Sequence, residues 1–140
     1  MPKRILIDSG FWMGYFERKD QYHNVAISIA QDIFSHTVLC PFPTLYEFLK
    51  TRVAKNIKYV LDYENLLAKL NIEYIYDDKY RFNILNEFIL ANKKSSQMSL
   101  VDLVINKMMT DTSIKIDCIA TFNKKDFIKN CRNRNIEMIP

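Results

Sequence analysis

Apolar positions along this chain switch repeatedly between a period of two and a period of three to four. RILID (4–8) is a short apolar strand that ends in an acid. Residues 11–18 predict a turn or two of helix, and 22–35 a longer one, with Val25, Ile29 and Phe34 beside Ala26 and Ala30 at helical spacing. A second strand covers 38–41, after which Pro43 suits the first turn of a helix running through Leu45, Phe48, Leu49 and Val53. Residues 58–70 predict another helix with Val60, Leu61, Leu67 and Leu70 inward, and IEYIY (72–76) alternates like a strand. Residues 80–92 are again helical, carrying Phe82, Leu85, Phe88 and Ile89, and KKSSQ (93–97) is a polar loop. Ser99 and Asp102 form the N-cap pattern that opens the next helix. DCIATF (117–122) has the composition of a buried strand, 123–132 of a short helix, and 136–139 of a last strand.

Strands alternating with helices predict βαβ units, hence an α/β fold with a mainly parallel central sheet covered on both faces, three layers in all. The length of 140 residues fits one domain, 1–140. In such a fold, ligands bind outside the carboxyl ends of the strands, near a reversal of strand order.

That expectation gives the acids their interest. Asp8 closes the first strand. Glu47 is expected in about the first turn of the helix after the second strand, Asp102 in the first turn of its own helix, and Asp126 at the helix start after DCIATF. Each alone has an ordinary explanation as a strand end, a solvated helix residue or a cap, the last contributing roughly 0.3–1 kcal/mol. Together they form a set of carboxylates at one sheet edge, which at neutral pH needs a cation to share. Oxygen ligands favour a hard ion, Mg²⁺ or Mn²⁺, which binds phosphate oxygens and activates a water toward phosphorus.

Composition sharpens this only slightly. The net charge is +4, but residues 112–140 hold six basic side chains against three acidic ones, which suits a polyanionic partner. Arg52, Lys124 and Lys125 flank the acidic blocks and are candidate RNA contacts. Cys40, Cys118 and Cys131 are far apart, with no CxxC or Cys/His cluster, which argues against a zinc site and for a reducing compartment. No apolar run approaches a membrane span or a signal peptide, so the expected location is the cytoplasm. Trp12, Phe11 and Phe16 are expected in the core or a subunit contact rather than as a base-stacking platform, and His23 in a structural or solvent-facing role.

The acids and their surroundings resemble the PIN-domain family, in particular the VapC-like toxins of type II toxin–antitoxin pairs. ILIDSGFWMGYFERKDQYHNVA (5–26) is similar to the family's opening, PTLYEFLK (43–50) to its second block around the Glu, SLVDLVI (99–105) to its third, and ATFNKKDF (120–127) to its fourth. The likeness spans residues 4–139, with the first and fourth blocks most specific. It implies a PIN-like fold and an endoribonuclease that cuts single-stranded RNA with Mg²⁺ or Mn²⁺. It also implies metal-site acids Asp8, Glu47, Asp102 and Asp126, a homodimer, and an antitoxin protein as partner. Asn123 stands where many members carry Asp, so it would be a weaker ligand. Ser9 keeps the hydroxyl of the commoner Thr, and Gly10 after it is less usual. Thr121 can hold a water or a carboxylate, or simply end its strand.

Other readings of an Asp after the first strand fit less well. A haloacid-type phosphatase wants a second Asp at the position of Gly10, and there is no glycine-rich phosphate loop. The serious alternative is a non-catalytic PIN-like module that binds RNA or protein, favoured only by Asn123. DNA as substrate stays open.

Overall fold

A computed structural model describes residues 1–94 and 97–140. Ser95 and Ser96, in the polar loop expected at 93–97, lie outside the described residues. The strands are β1 (Arg4–Ile7), β2 (Thr37–Pro41), β3 (Asn71–Ile75), β4 (Cys118–Ala120) and β5 (Glu137–Ile139). The helices are α1 (Ser9–Phe16), α2 (His23–Phe34), α3 (Phe42–Phe48), α4 (Ile57–Lys69), α5 (Ile84–Asn92), α6 (Leu100–Thr110) and α7 (Lys124–Arg134). The strands form one sheet in the order β3-β2-β1-β4-β5, parallel at every pairing. The α/β, parallel-sheet expectation is met, and β1 is the central strand where the order reverses.

Alternation along the strands sorts the core into two layers. Ile5, Ile7, Val38, Cys118 and Ala120 face one way, onto Phe11, Trp12 and Phe16 of α1, Ala26, Ala30 and Ile33 of α2, and Phe48. Leu6, Leu39 and Ile119 face the other way, onto Val104, Ile105, Met108 and Met109 of α6 and Phe127 and Cys131 of α7. Helices thus cover both faces of the sheet. Trp12 stacks near Phe34 and Phe48 in the first layer. Burying an aromatic or aliphatic side chain of this size contributes roughly 1.5–3 kcal/mol. All three cysteines are buried and free. Among the described residues, no helix is long and apolar enough to cross a membrane.

Several expected faces are turned. In α4 the residues on the core are Tyr59, Tyr63 and Leu66, with Leu70 at its C-cap inward as expected, while Val60 and Leu61 are exposed. The tyrosines repeat at i, i+4 and carry the stripe that the aliphatic residues were expected to carry. Val25 is also exposed, and Ile33 takes the buried place in α2. The helix expected over 80–92 is broken: a 3₁₀ turn covers Asp78–Tyr80, and Asn83 adopts φ 60° before α5 begins. That left-handed residue resets the helical phase, so Ile84 packs inward while Phe82 and Leu85 are exposed. The helix expected to continue through Val53 stops at Phe48, where the Thr51 hydroxyl donates to the Phe48 carbonyl.

Candidate metal centre

The parallel register brings four chain segments to one edge. β1 pairs with β4 through Ile7 and Ala120, so the next residues, Asp8 and Thr121, emerge side by side. The Asp8 backbone N–H completes the pairing by donating to the Ala120 carbonyl at 3.1 Å. Asp8 then caps α1, its Oδ1 accepting the Ser9 N–H at 2.8 Å. Its Oδ2 accepts the Thr121 hydroxyl at 2.9 Å. Of the two roles open to Thr121, the structure gives it the one of holding a carboxylate. Asp8 is only 4% exposed, and burial raises its pKa against the opposing hydrogen bonds from Thr121 and Ser9, with the Glu47 charge adding to the rise.

Glu47 arrives from α3, but late in that short helix rather than in its first turn, next to the terminal Phe48. The Ser9 hydroxyl donates to Glu47 Oε1 at 2.8 Å, and the Ser9 Oγ lies 3.5 Å from Asp8 Oδ1. Ser9 therefore stands between two carboxylates.

Asp102 and Asp126 come from the first turns of α6 and α7, as expected. The Ser99 side chain caps α6 at the Asp102 N–H, 3.1 Å away. The Asn123 amide donates to Asp102 Oδ2 at 3.2 Å and to Asp126 Oδ2 at 2.7 Å. Asn123 thus meets the acids with its N–H₂ end, the end that cannot ligate a cation. The Asn123 backbone N–H donates in turn to the Thr121 hydroxyl at 3.0 Å, which ties this pair to Asp8.

Burial, followed by the charges of Asp8 and Glu47 and then of Asp126, pushes the Asp102 carboxyl up to about 7 against the Ser99 hydrogen bond. The four acids thus form one electrostatic unit. Among the described residues, no group of three or more histidine, cysteine or acidic side chains is arranged so as to hold a metal ion. Ser9 and Asn123 lie between the carboxylates instead. The donor set nevertheless fits a hard divalent cation in its chemistry, since the donors are carboxylate oxygens and Asp102 is pushed toward protonation by burial and by its acidic neighbours.

Sequence reasoning missed Asn106. It is buried one turn after Asp102, and its amide donates to the Asp102 carbonyl at 2.9 Å and to the Asp126 carbonyl at 3.0 Å. Its own Oδ1 accepts from Asn130 at 2.7 Å. This residue sets the spacing of α6 and α7 beneath the two acids. Its signal was available: a lone amide on the apolar face of LVDLVINKMM (100–109).

Lys124 and Lys125 are exposed in the first turn of α7, and Arg52 is exposed in the turn after α3. His23 is tied to the Gly14 carbonyl through Nδ1 at 2.7 Å, the structural one of the two roles expected of it. Phe11, Trp12 and Phe16 are buried in the core. No protein-family model matches the chain, and no curated protein matches it.

Proposed function

We propose that this chain is a divalent-metal-dependent endoribonuclease of the PIN type, a VapC-like toxin in character, acting on single-stranded RNA. One observation carries the reading. Four carboxylates, from the end of β1 and from α3, α6 and α7, share the carboxyl edge of a parallel sheet, where burial together with the charges of Asp8, Glu47 and Asp126 pushes the Asp102 carboxyl up to about 7. Like charges crowded in this way destabilise a fold unless something of opposite charge is bound there.

Asp8, Glu47, Asp102 and Asp126 would hold the cation, Mg²⁺ or Mn²⁺. When bound, such an ion neutralises phosphate charge and lowers the pKa of water in its shell. The chain's own contribution is orientation. Thr121 and the Ser9 N–H fix Asp8, the Ser9 hydroxyl fixes Glu47, and Asn123 fixes Asp102 against Asp126. Lys124, Lys125 and Arg52 offer exposed positive charge for the RNA backbone.

A second reading, a non-catalytic PIN-like RNA- or protein-binding module, draws on the Asn123 clamp, which already joins two of the acids without a cation. One experiment separates the two. Purified protein is incubated with single-stranded RNA in Mg²⁺ or Mn²⁺, and again with a chelator. Cleavage that needs the metal and disappears in Asp8→Asn supports the nuclease; binding without cleavage supports the module. A homodimer and an antitoxin partner are proposed on the family likeness. Sedimentation of the pure protein tests the dimer.

A further inference from the structure

Asp8 borders two features. One is the acidic cluster; the other is a cleft of about 420 Å³ whose lining also includes Gly10, Asp20, Tyr22, Phe122 and Asn123. That volume falls within the roughly 300–1,000 Å³ of small-molecule sites. Asn123, like Asp8, belongs to both features, so whatever enters the cleft lies directly beside the acids.

The walls have a definite chemistry. Tyr22 and Phe122 stack with ring centroids 4.3 Å apart and planes 6° from parallel. The pair is seated on Gly14, where a Cβ would already lie 3.4 Å from Phe122 and 3.5 Å from the Tyr22 Cβ. Tyr22 remains 38% exposed and lines the cleft, so a ring entering the cleft meets it. Every nucleobase has a π face that extends such a stack. At Gly10 a Cβ would meet nothing within 4 Å, so the absence of a side chain there keeps the cleft open beside Asp8.

Asp20 supplies the polar wall. Its Oδ1 accepts the Tyr22 N–H at 2.8 Å, which fixes the carboxylate, and among the described residues its Oδ2 receives no hydrogen bond. An ionised carboxylate only accepts. It therefore suits a base that offers an exocyclic amino group, as it does when an acid reads cytosine N4.

We propose that this cleft is a nucleobase subsite: it takes the base of the nucleotide next to the phosphate at the acids, stacks it on Tyr22, and favours cytosine or adenine over uracil through Asp20. The placement of the phosphate rests on the ribonuclease reading; capture of a base by the cleft does not.

The test uses cytidine, adenosine and uridine as probes, titrated into the metal-free protein and followed through the backbone NMR signals of Gly10 and Tyr22. Cytidine and adenosine are expected to shift both signals, with uridine about tenfold weaker, the scale of one hydrogen bond to a charged group. Tyr22→Ala should weaken binding about tenfold or more. Asp20→Asn, whose amide can also donate, should bring uridine level with cytidine. Gly10→Leu should abolish the shifts with the melting temperature unchanged or raised, because glycine is a poor helix residue and the added side chain meets open space. Failure of all three nucleosides to shift these signals overturns the subsite, and equal binding of uridine to the parent overturns the base preference. If the parent cuts RNA and Gly10→Leu cuts it equally well at the same positions, the subsite is also overturned. If the parent cuts no RNA while cytidine still binds, the subsite stands and the nuclease reading falls.

Discussion

The Asn123 side-chain amide donates to the Asp126 carboxylate at 2.7 Å and spans from there to Asp102. A neutral donor thus occupies the place between two acids where a third acid would be repelled. Asn123→Asp exchanges two favourable contacts for two repulsive ones. The metal-free variant should lose about 1–3 kcal/mol, the scale of hydrogen bonds to charged groups. It should also respond more strongly to Mn²⁺, having gained an oxygen ligand. Thermal melts with chelator and with Mn²⁺ check both parts. A variant as stable as the parent in chelator would mean that the clamp contributes nothing.

Asp102 makes stability depend on pH in an identifiable window. Its carboxyl stands at about 7 in the folded chain against an ordinary 3.8. Between those values the folded chain holds the proton more tightly, so stability falls as pH rises through the window. The penalty is absent below about pH 4 and complete above about pH 7. Burial of Asp8 acts in the same direction. Asp111, held low by Lys79, Ser113 and Tyr80, contributes stability that is lost only below its ordinary 3.8, outside this window. Asp102→Asn should therefore melt with the parent near pH 4 and above it at pH 8 in chelator. Coincident melting curves at both pH values would refute the raised Asp102 carboxyl.

Cation binding should show the mirror image. A ligand at about a hundred times its Kd adds roughly 2.7 kcal/mol, a rise on the order of 5–10 °C for a domain of this size. Millimolar Mg²⁺ or Mn²⁺ should raise the melting temperature at pH 8, less at pH 5.5 where protons compete, and not at all in Asp8→Asn. An unchanged melting temperature in both ions would remove the basis for a metal centre.

Asn106→Ala probes the scaffold under the acids. It strips the half-buried Asp126 carbonyl of a 3.0 Å donor and leaves Asn130 without its acceptor. The expected cost is about 1–3 kcal/mol. On the nuclease reading, RNA cleavage measured well below the melting temperature should fall at least tenfold, because Asp102 and Asp126 lose their fixed spacing. Full activity in a destabilised variant would make Asn106 a packing residue only.

Sequence pattern carried the sheet well, because fully buried strands such as Ile5–Leu6–Ile7 and Cys118–Ile119–Ala120 are dense apolar runs between helical segments. The first-turn placement of Asp102 and Asp126 was legible from cap chemistry at Ser99 and from the polar start of α7. Helix faces were less legible. In α4 the half-buried tyrosines outcompete Val60 and Leu61 for the core, and hydrophobicity alone ranks these the other way. At Asn83 a single left-handed residue changes the phase of everything after it, and nothing in the spacing of Phe82, Leu85 and Ile89 announces that. The roles of Ser9, Asn123 and Asn106 as bridges depend on partners tens of residues away, which no local pattern encodes.

The hydroxyl that holds Asp8 belongs to Thr121, 113 positions further along the chain. During synthesis, which runs from the N-terminus, β1 must wait for its partner on one side until β4, Cys118–Ala120, has been made. A nascent chain that has reached only α6 possesses Asp8, Glu47 and Asp102, but not Thr121, Asn123 or Asp126. The acids cannot be fixed in place before then. On the nuclease reading, a cell making this protein is shielded from it until translation has passed the start of α7, by connectivity alone.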